Sequence, residues 1–199
     1  MENIVFLDVD GVFLTYRPEL FFENTVYGCN EQAVEVFVRL LEESIIPTRI
    51  VMMSITIFNR APLYWIKNEE LKDRFHKLLH KDVPSVDPEY IRVNRYTGID
   101  KWLKRYGQNV NKAIVIDDSI GWFLDETNKP LTSDFYLVPC RCYYGLNWPE
   151  LRLLQFILKP NLIESDITFI QNFPHMGYHF ELYPKLEKFW NEKLIPMLK

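Results

Sequence analysis

The chain has 199 residues, 48% of them hydrophobic and 25% charged, a balance that suits one globular domain with a substantial core. Its formal net charge of -4 argues against a general nucleic-acid binder, whose phosphate contacts need a basic surface. The longest apolar stretch, Ile45 to Phe58, is interrupted by Pro47, Arg49, Ser54 and Thr56, which excludes a bilayer span.

The opening Met1-Glu2-Asn3 lacks the basic segment of a targeting signal. Ile4 to Leu7 is a compact apolar run that stops at Asp8-Val9-Asp10-Gly11, the pattern of a buried strand followed by a turn. Residues 12–29 are rich in aromatics, Pro and Gly and predict irregular structure or a small hairpin. Glu31 to Glu43 has helical spacing, with Val34, Phe37, Val38 and Leu41 on one face and Asn30 as its cap. Arg49 to Ser54 predicts a second buried strand and Leu63 to Leu79 a helix. Tyr90 to Asn94 is a weaker strand candidate, and Gly98 to Tyr106 a short helix closed by Gly107. Lys112 to Ile116 predicts a strand ending at Asp117-Asp118, Phe135 to Val138 the last strand, and Pro149 to Leu158 the helix after it. Residues 159–199 hold Phe169, Phe173, Tyr178, Phe180, Tyr183, Phe189 and Trp190, too aromatic for a disordered tail. Pro184 is placed to start a final helix, with Leu186, Phe189, Trp190 and Leu194 on one face.

Strand and helix thus alternate about five times, which predicts a three-layer α/β/α fold around a parallel five-stranded sheet. Residues 1–158 form the expected catalytic domain, and residues 159–199 a helical extension packed on it or, alternatively, docked to a partner or membrane surface. Three cysteines, Cys29, Cys140 and Cys142, cannot all pair internally, which points to a reducing, cytoplasmic compartment. Cys140 and Cys142 share one face of a strand-like stretch and read as buried packing.

In parallel sheets ligands sit beyond the carboxyl ends of the strands, and the polar residues here fall at those ends: Asp8, Asp10, Ser54, Arg95, Asp117 and Asp118. Carboxylates aimed at one crevice repel each other unless a cation sits among them. Oxygen-only ligands favour a hard ion, magnesium where a phosphate completes the shell. A cation beside an exposed Asp suggests phosphoryl transfer through an aspartyl-phosphate. Asp10 is then placed to protonate the leaving oxygen and to deprotonate the attacking water, and Ser54 to donate a hydrogen bond to the transferring group.

Phe6-Leu7-Asp8-Val9-Asp10-Gly11-Val12, Ile50-Val51-Met52-Met53-Ser54 and Ile114-Val115-Ile116-Asp117-Asp118 resemble signature motifs of the haloacid-dehalogenase superfamily, in the usual order. The resemblance implies a Mg2+-dependent phosphohydrolase with Asp8 as nucleophile and metal ligand and Asp10 as acid/base, its backbone carbonyl on the metal. It also implies metal contacts from Asp117 and Asp118. The remaining motif needs a basic residue, for which Arg95 is favoured and Lys101 is the alternative. Arg95-Tyr96-Thr97-Gly98-Ile99-Asp100-Lys101-Trp102-Leu103 and Gly145-Leu146 resemble capless members linked to RNA repair, although Tyr96 replaces a glycine of that pattern.

The stretches from Asp10 to Ser54 and from Lys101 to Asp117 are largely used by the predicted helices and strands, so no lid domain fits in either. A capless site lets a bulky macromolecule serve as its own cover. The expected partner is a phosphoprotein, with phosphotyrosine stacking on a mouth of Phe13, Tyr16, Phe21 and Phe22. A nucleic-acid end is the second reading, and a binding module without chemistry the third. His175 and His179 read as structural, His76 and His80 as solvated, and Arg17 and Arg60 as surface salt-bridge partners. Low glycine with abundant Lys, Asn and aromatics suits a bacterial protein, a secreted effector included.

Overall fold

Residues 1–16, 27–54, 63–93, 95–119, 135–141, 144–159, 162–173 and 190–198 are described by the computed structural model. Strand β1 (Glu2–Leu7) lies inside the sheet, and Ile4, Val5, Phe6 and Leu7 are all buried. It pairs in parallel with β4 (Thr48–Met52) on one side and β5 (Val110–Asp117) on the other, and β6 (Tyr136–Pro139) adds to the outer edge of β5. The order is β4-β1-β5-β6. Burial on both faces explains why these strands are apolar runs rather than alternating ones. Strands β2 (Leu14–Tyr16) and β3 (Tyr27–Cys29) form a small antiparallel pair, the second of the two alternatives the sequence left open after β1.

The chain steps from β1 outward to β4 and then back across β1 to β5. Right-handed crossovers therefore put the connecting helices on opposite faces, giving three layers. Helix α1 (Glu31–Glu42) follows the first step, with Asn30 Oδ1 accepting from the Ala33 amide at 3.2 Å. Its buried residues are Ala33, Val34, Phe37, Val38 and Leu41, matching the predicted face. Helix α2 (Glu69–Leu78) packs on α1, and Phe75 meets Phe37 and Phe13. It starts later than the sequence pattern predicts. Leu63 takes a φ of 59°, outside the helical range, and Asn68 then caps the new start by accepting from the Leu71 amide.

Tyr90 to Val93 is not a strand. It belongs to helix α3 (Pro88–Val93), which is followed by α4 (Arg95–Tyr106). Pro88 fixes a helical φ at the first position, the Asp87 carboxylate accepts the Glu89 amide at 3.0 Å, and the Asp87 carbonyl takes those of Tyr90 and Ile91. These local bonds outweigh the strand propensity of the short apolar stretch. The outer edge of β4 is covered instead by residues 79–86, through isolated parallel bridges Ile50–Leu79 and Met52–Ser85. The sheet therefore has four strands among the described residues, where five were expected.

Helix α5 (Trp148–Leu158) follows β6 and runs back along the sheet, so that Lys112 Nζ near the start of β5 donates to the Ile157 carbonyl at 2.5 Å. Beyond it, α6 (Glu164–Asn172) carries Phe169 against Phe156 of α5. Trp190 opens a π-helical turn, Trp190–Leu194, that continues into α7 (Ile195–Leu198). Its ring stacks on Phe173 at 5.2 Å, and its Nε1 donates to the Ile170 carbonyl. Residues 184–189 of the predicted final helix lie outside the described residues. No helix among the described residues is long and apolar enough to cross a membrane.

Candidate active site

The hydrogen-bond ladder continues one residue beyond β1, because the Asp8 amide donates to the Ile116 carbonyl at 3.0 Å. Asp8 is thereby fixed, fully buried, at the carboxyl end of the central strands. The chain then turns tightly. The Val9 carbonyl accepts from the amides of Val12, Phe13 and Leu14, and Gly11 takes a φ of +74°. A side chain at Gly11 would meet the Asp118 carboxylate at 2.0 Å, so glycine is required both by the backbone angle and by this close approach. The Met53 amide donates to the Leu7 carbonyl and carries β4 alongside, which brings Ser54 Oγ to Asp10 Oδ2 at 2.9 Å.

Asp117 ends β5 fully buried. Its Oδ1 accepts the Ser119 amide at 2.6 Å, and the Ser119 hydroxyl donates to Asp118 Oδ1 at 3.2 Å. Arg95 is the first residue of α4, and its Nη1 bridges Asp117 Oδ2, at 2.7 Å, and Asp8 Oδ2. Asp8, Asp117 and Asp118 each present an oxygen within 4.8 Å of the others.

This crevice is electrostatically uneven. Burial, then the neighbouring Asp117, raises the Asp8 carboxyl well above the usual carboxylate range, although Arg95 pulls it down. Burial likewise raises Asp117, opposed by Arg95. Asp118 is pushed up to about 6 by burial and by Asp117. For Arg95, burial works against the charge, but Asp117 and Asp8 outweigh it and hold the guanidinium firmly protonated. Three carboxylates face a single guanidinium, an oxygen-only set with an excess of negative charge. A hard divalent cation fits such a set, and binding it would relieve the excess.

The structure thus brings together Asp8, Arg95, Asp117 and Asp118, with Ser54 and Asp10 paired beside them. The Asp10 carboxylate lies outside the close trio. Lys101 is not in the crevice: it is exposed, and its ammonium sits on the Tyr90 hydroxyl and over the Tyr90 ring. It lies six residues beyond Arg95, nearly two helical turns along α4 and on another face. Of the residues expected to make an aromatic mouth, Phe13 is instead buried against Phe37, Trp65 and Phe75. Phe21 and Phe22 lie outside the described residues, as do Arg17, Arg60, His175, His179 and Cys142, and nothing is described of the Tyr16 side chain. Cys140 is buried, as expected. His76 is exposed, whereas His80 is partly buried, with Nε2 3.6 Å from Glu2 and its ring edge-on to Trp102.

The sequence reading missed the role of Ser119 in holding both aspartates. It singled out Gly145-Leu146 but missed that residues 144–148 close onto the Asp8 turn, through the Leu146 amide and the Val12 carbonyl at 2.7 Å. Asn147-Trp148-Pro149-Glu150 was the available signal, a helix-start pattern in which Glu150 accepts the Asn147 amide.

Among families of known proteins, the HAD domain in Swiss Army Knife RNA repair proteins matches residues 4–151. No curated protein and no solved structure matches the chain. The match reaches all four strands described in the main sheet and includes Asp8, Asp10, Asp117 and Asp118, and the chain belongs to the haloacid-dehalogenase superfamily, as a HAD domain of this RNA-repair type.

Proposed function

We propose that the chain is a Mg2+-dependent phosphomonoester hydrolase that works through an aspartyl-phosphate on Asp8. The observation that carries this reading is the buried Asp8 carboxylate, held by Arg95 and within 4.8 Å of Asp117 and Asp118. Asp8, Asp117 and Asp118, with the Asp10 backbone carbonyl, would hold Mg2+, which neutralises phosphate oxygens. Arg95 steadies the Asp8 carboxylate and adds positive charge where the phosphoryl group arrives. The Ser54 hydroxyl donates to Asp10 in the free site and turns its one hydrogen bond to that group when substrate binds. Asp10, freed from Ser54, protonates the leaving oxygen as the phosphorus–oxygen bond breaks. It then takes a proton from the water that cleaves the aspartyl-phosphate and releases inorganic phosphate.

For the substrate we favour a phosphorylated nucleic-acid end, because the matching family is one of RNA repair proteins. Neither the comparisons nor the buried position of Phe13 supports the phosphotyrosine reading that the sequence suggested. The test is a screen of phosphorylated RNA ends, nucleotides and phosphotyrosine peptides, with Mg2+ and with a chelator. Release of phosphate from RNA ends, abolished by the chelator and by Asp8→Asn, is the expected result. Asp10→Asn should fall by a factor on the order of a hundred, the scale of lost acid/base help. Absence of hydrolysis on every substrate in Mg2+ would refute the enzyme reading and favour a binding module.

A further inference from the structure

Met1, Ile45, Tyr106, Tyr144, Trp148 and Ile163 are the strongly exposed large apolar side chains among the described residues. Four of them lie at the end of the sheet away from the carboxylates. Met1 precedes β1, Ile45 precedes β4, Tyr106 closes α4 just before β5, and Ile163 follows α5, whose last turn is tied to the start of β5. Tyr144 and Trp148, 63% and 65% exposed, differ in place: these two aromatic rings lie at the carboxyl end of β6, on the side of Asp8 and Asp117.

The described residues around them are tied onto the site. The chain leaves the sheet where the Cys140 amide donates to the Asp117 carbonyl at 2.8 Å, and it returns through the Leu146 amide to Val12, in the turn that follows Asp8. Tyr144 and Gly145 both donate to the Arg141 carbonyl, and Gly145, at a φ of +63°, has no room for a side chain against the Val12 carbonyl. Asn147 Nδ2 donates to the Tyr144 carbonyl at 2.8 Å. The Arg141 guanidinium covers one face of Tyr144 at 5.1 Å, and its Nε lies 3.6 Å from the buried Glu150. An exposed ring with fixed backbone and a cation beside it loses little freedom on binding.

Resting on the phosphohydrolase reading above, we propose that Tyr144 and Trp148 form a stacking platform for the terminal bases of a single-stranded RNA whose end phosphate enters the Asp8 site. Every base offers a π-face, so such a platform tolerates any sequence. Arg141, whose charge the buried Glu150 balances, backs Tyr144 as a cation–π partner. An unstacked, splayed end is also the form of RNA in which bases are open to aromatic side chains.

The test compares kcat/KM for a short RNA with a terminal phosphate, the same RNA with an abasic terminal residue, and a pentose phosphate without a base. The wild type should prefer the base-bearing end. Tyr144→Ala and Trp148→Ala should each lower the ratio of RNA to pentose-phosphate turnover about tenfold, through KM, and Tyr144→Phe and Trp148→Phe should largely restore it. An unchanged ratio in both alanine variants would overturn the platform. So would a phosphotyrosine peptide that is preferred to RNA and loses turnover in the same variants, since the rings would then serve a protein substrate. If no substrate is hydrolysed in Mg2+, the phosphohydrolase reading fails separately. RNA binding by fluorescence anisotropy then decides the platform: binding weakened by the alanine variants upholds it, and no binding refutes it.

Discussion

Arg95 makes the two buried carboxylates of the trio, Asp8 and Asp117, tolerable. Its Nη1 reaches both Asp8 and Asp117, so it offsets charge on two groups that burial has already pushed toward protonation. Removing one partner of a buried ion pair costs about 3–5 kcal/mol, because the remaining charge is left uncompensated. Arg95→Ala should therefore unfold at markedly lower denaturant than wild type in metal-free buffer at neutral pH, and added Mg2+ should recover part of the loss. Equal midpoints for the two proteins would contradict this role. Asp118 makes a second prediction possible. Its folded value, about 6, lies above the ordinary 3.8, so the folded state keeps this proton longer than the unfolded chain. The contribution of Asp118 to metal-free stability is thus largest below that ordinary value and declines as pH rises toward about 6. Mg2+ needs the ionised form, so its stabilising effect should grow through the same interval. Thermal shifts with and without Mg2+ across this range check the sign, and a Mg2+ effect that shrinks as pH rises would refute it.

At the scale of elements, the turn after β1 and the loop after β5 are assembled against each other. The left-handed Gly11 leaves space that the Asp118 carboxylate fills. Gly11→Ala should combine a backbone penalty of about 1–3 kcal/mol with displacement of Asp118, so turnover should drop more than tenfold and Mg2+ should stabilise the variant less than wild type. An unchanged response to Mg2+ would show that Asp118 need not sit there. These elements also show what the sequence could reveal. Asp8 and Asp117 were legible because a buried parallel strand is an uninterrupted apolar run, and a carboxylate that stops such a run must lie at the end of the sheet. The choice between Arg95 and Lys101 was not legible, since it depends on where α4 begins, and helix spacing alone does not fix that boundary. Tyr90 to Asn94 misled because a short apolar stretch carries no period of its own, while Asp87-Pro88-Glu89 supplied a helix start through backbone bonds. The bridged edge at residues 79–86 escaped for a related reason: two isolated contacts leave no repeating pattern.

Across the whole molecule, one apolar core joins the sheet, the helices and the last described segment. Phe156, Phe169, Phe173 and Trp190 form a chain of ring contacts from α5 to the π-helical turn, and Trp190 is fully buried. Trp190→Ala should cost about 3–5 kcal/mol, the range for a large buried ring. If the segment folds with the catalytic unit, the variant should still unfold in one transition at a lower temperature. A wild-type midpoint for the loss of activity would instead mark the segment as a separate unit.

The central claim is that Asp8 itself accepts the phosphoryl group with the help of a divalent ion. Acid-quenched enzyme, taken during turnover and mapped by mass spectrometry, reads this directly. A hydroxylamine-labile phosphoryl group on Asp8 in Mg2+, and none with a chelator, is the predicted result. Label on another residue, or steady turnover in the chelator, would contradict the account.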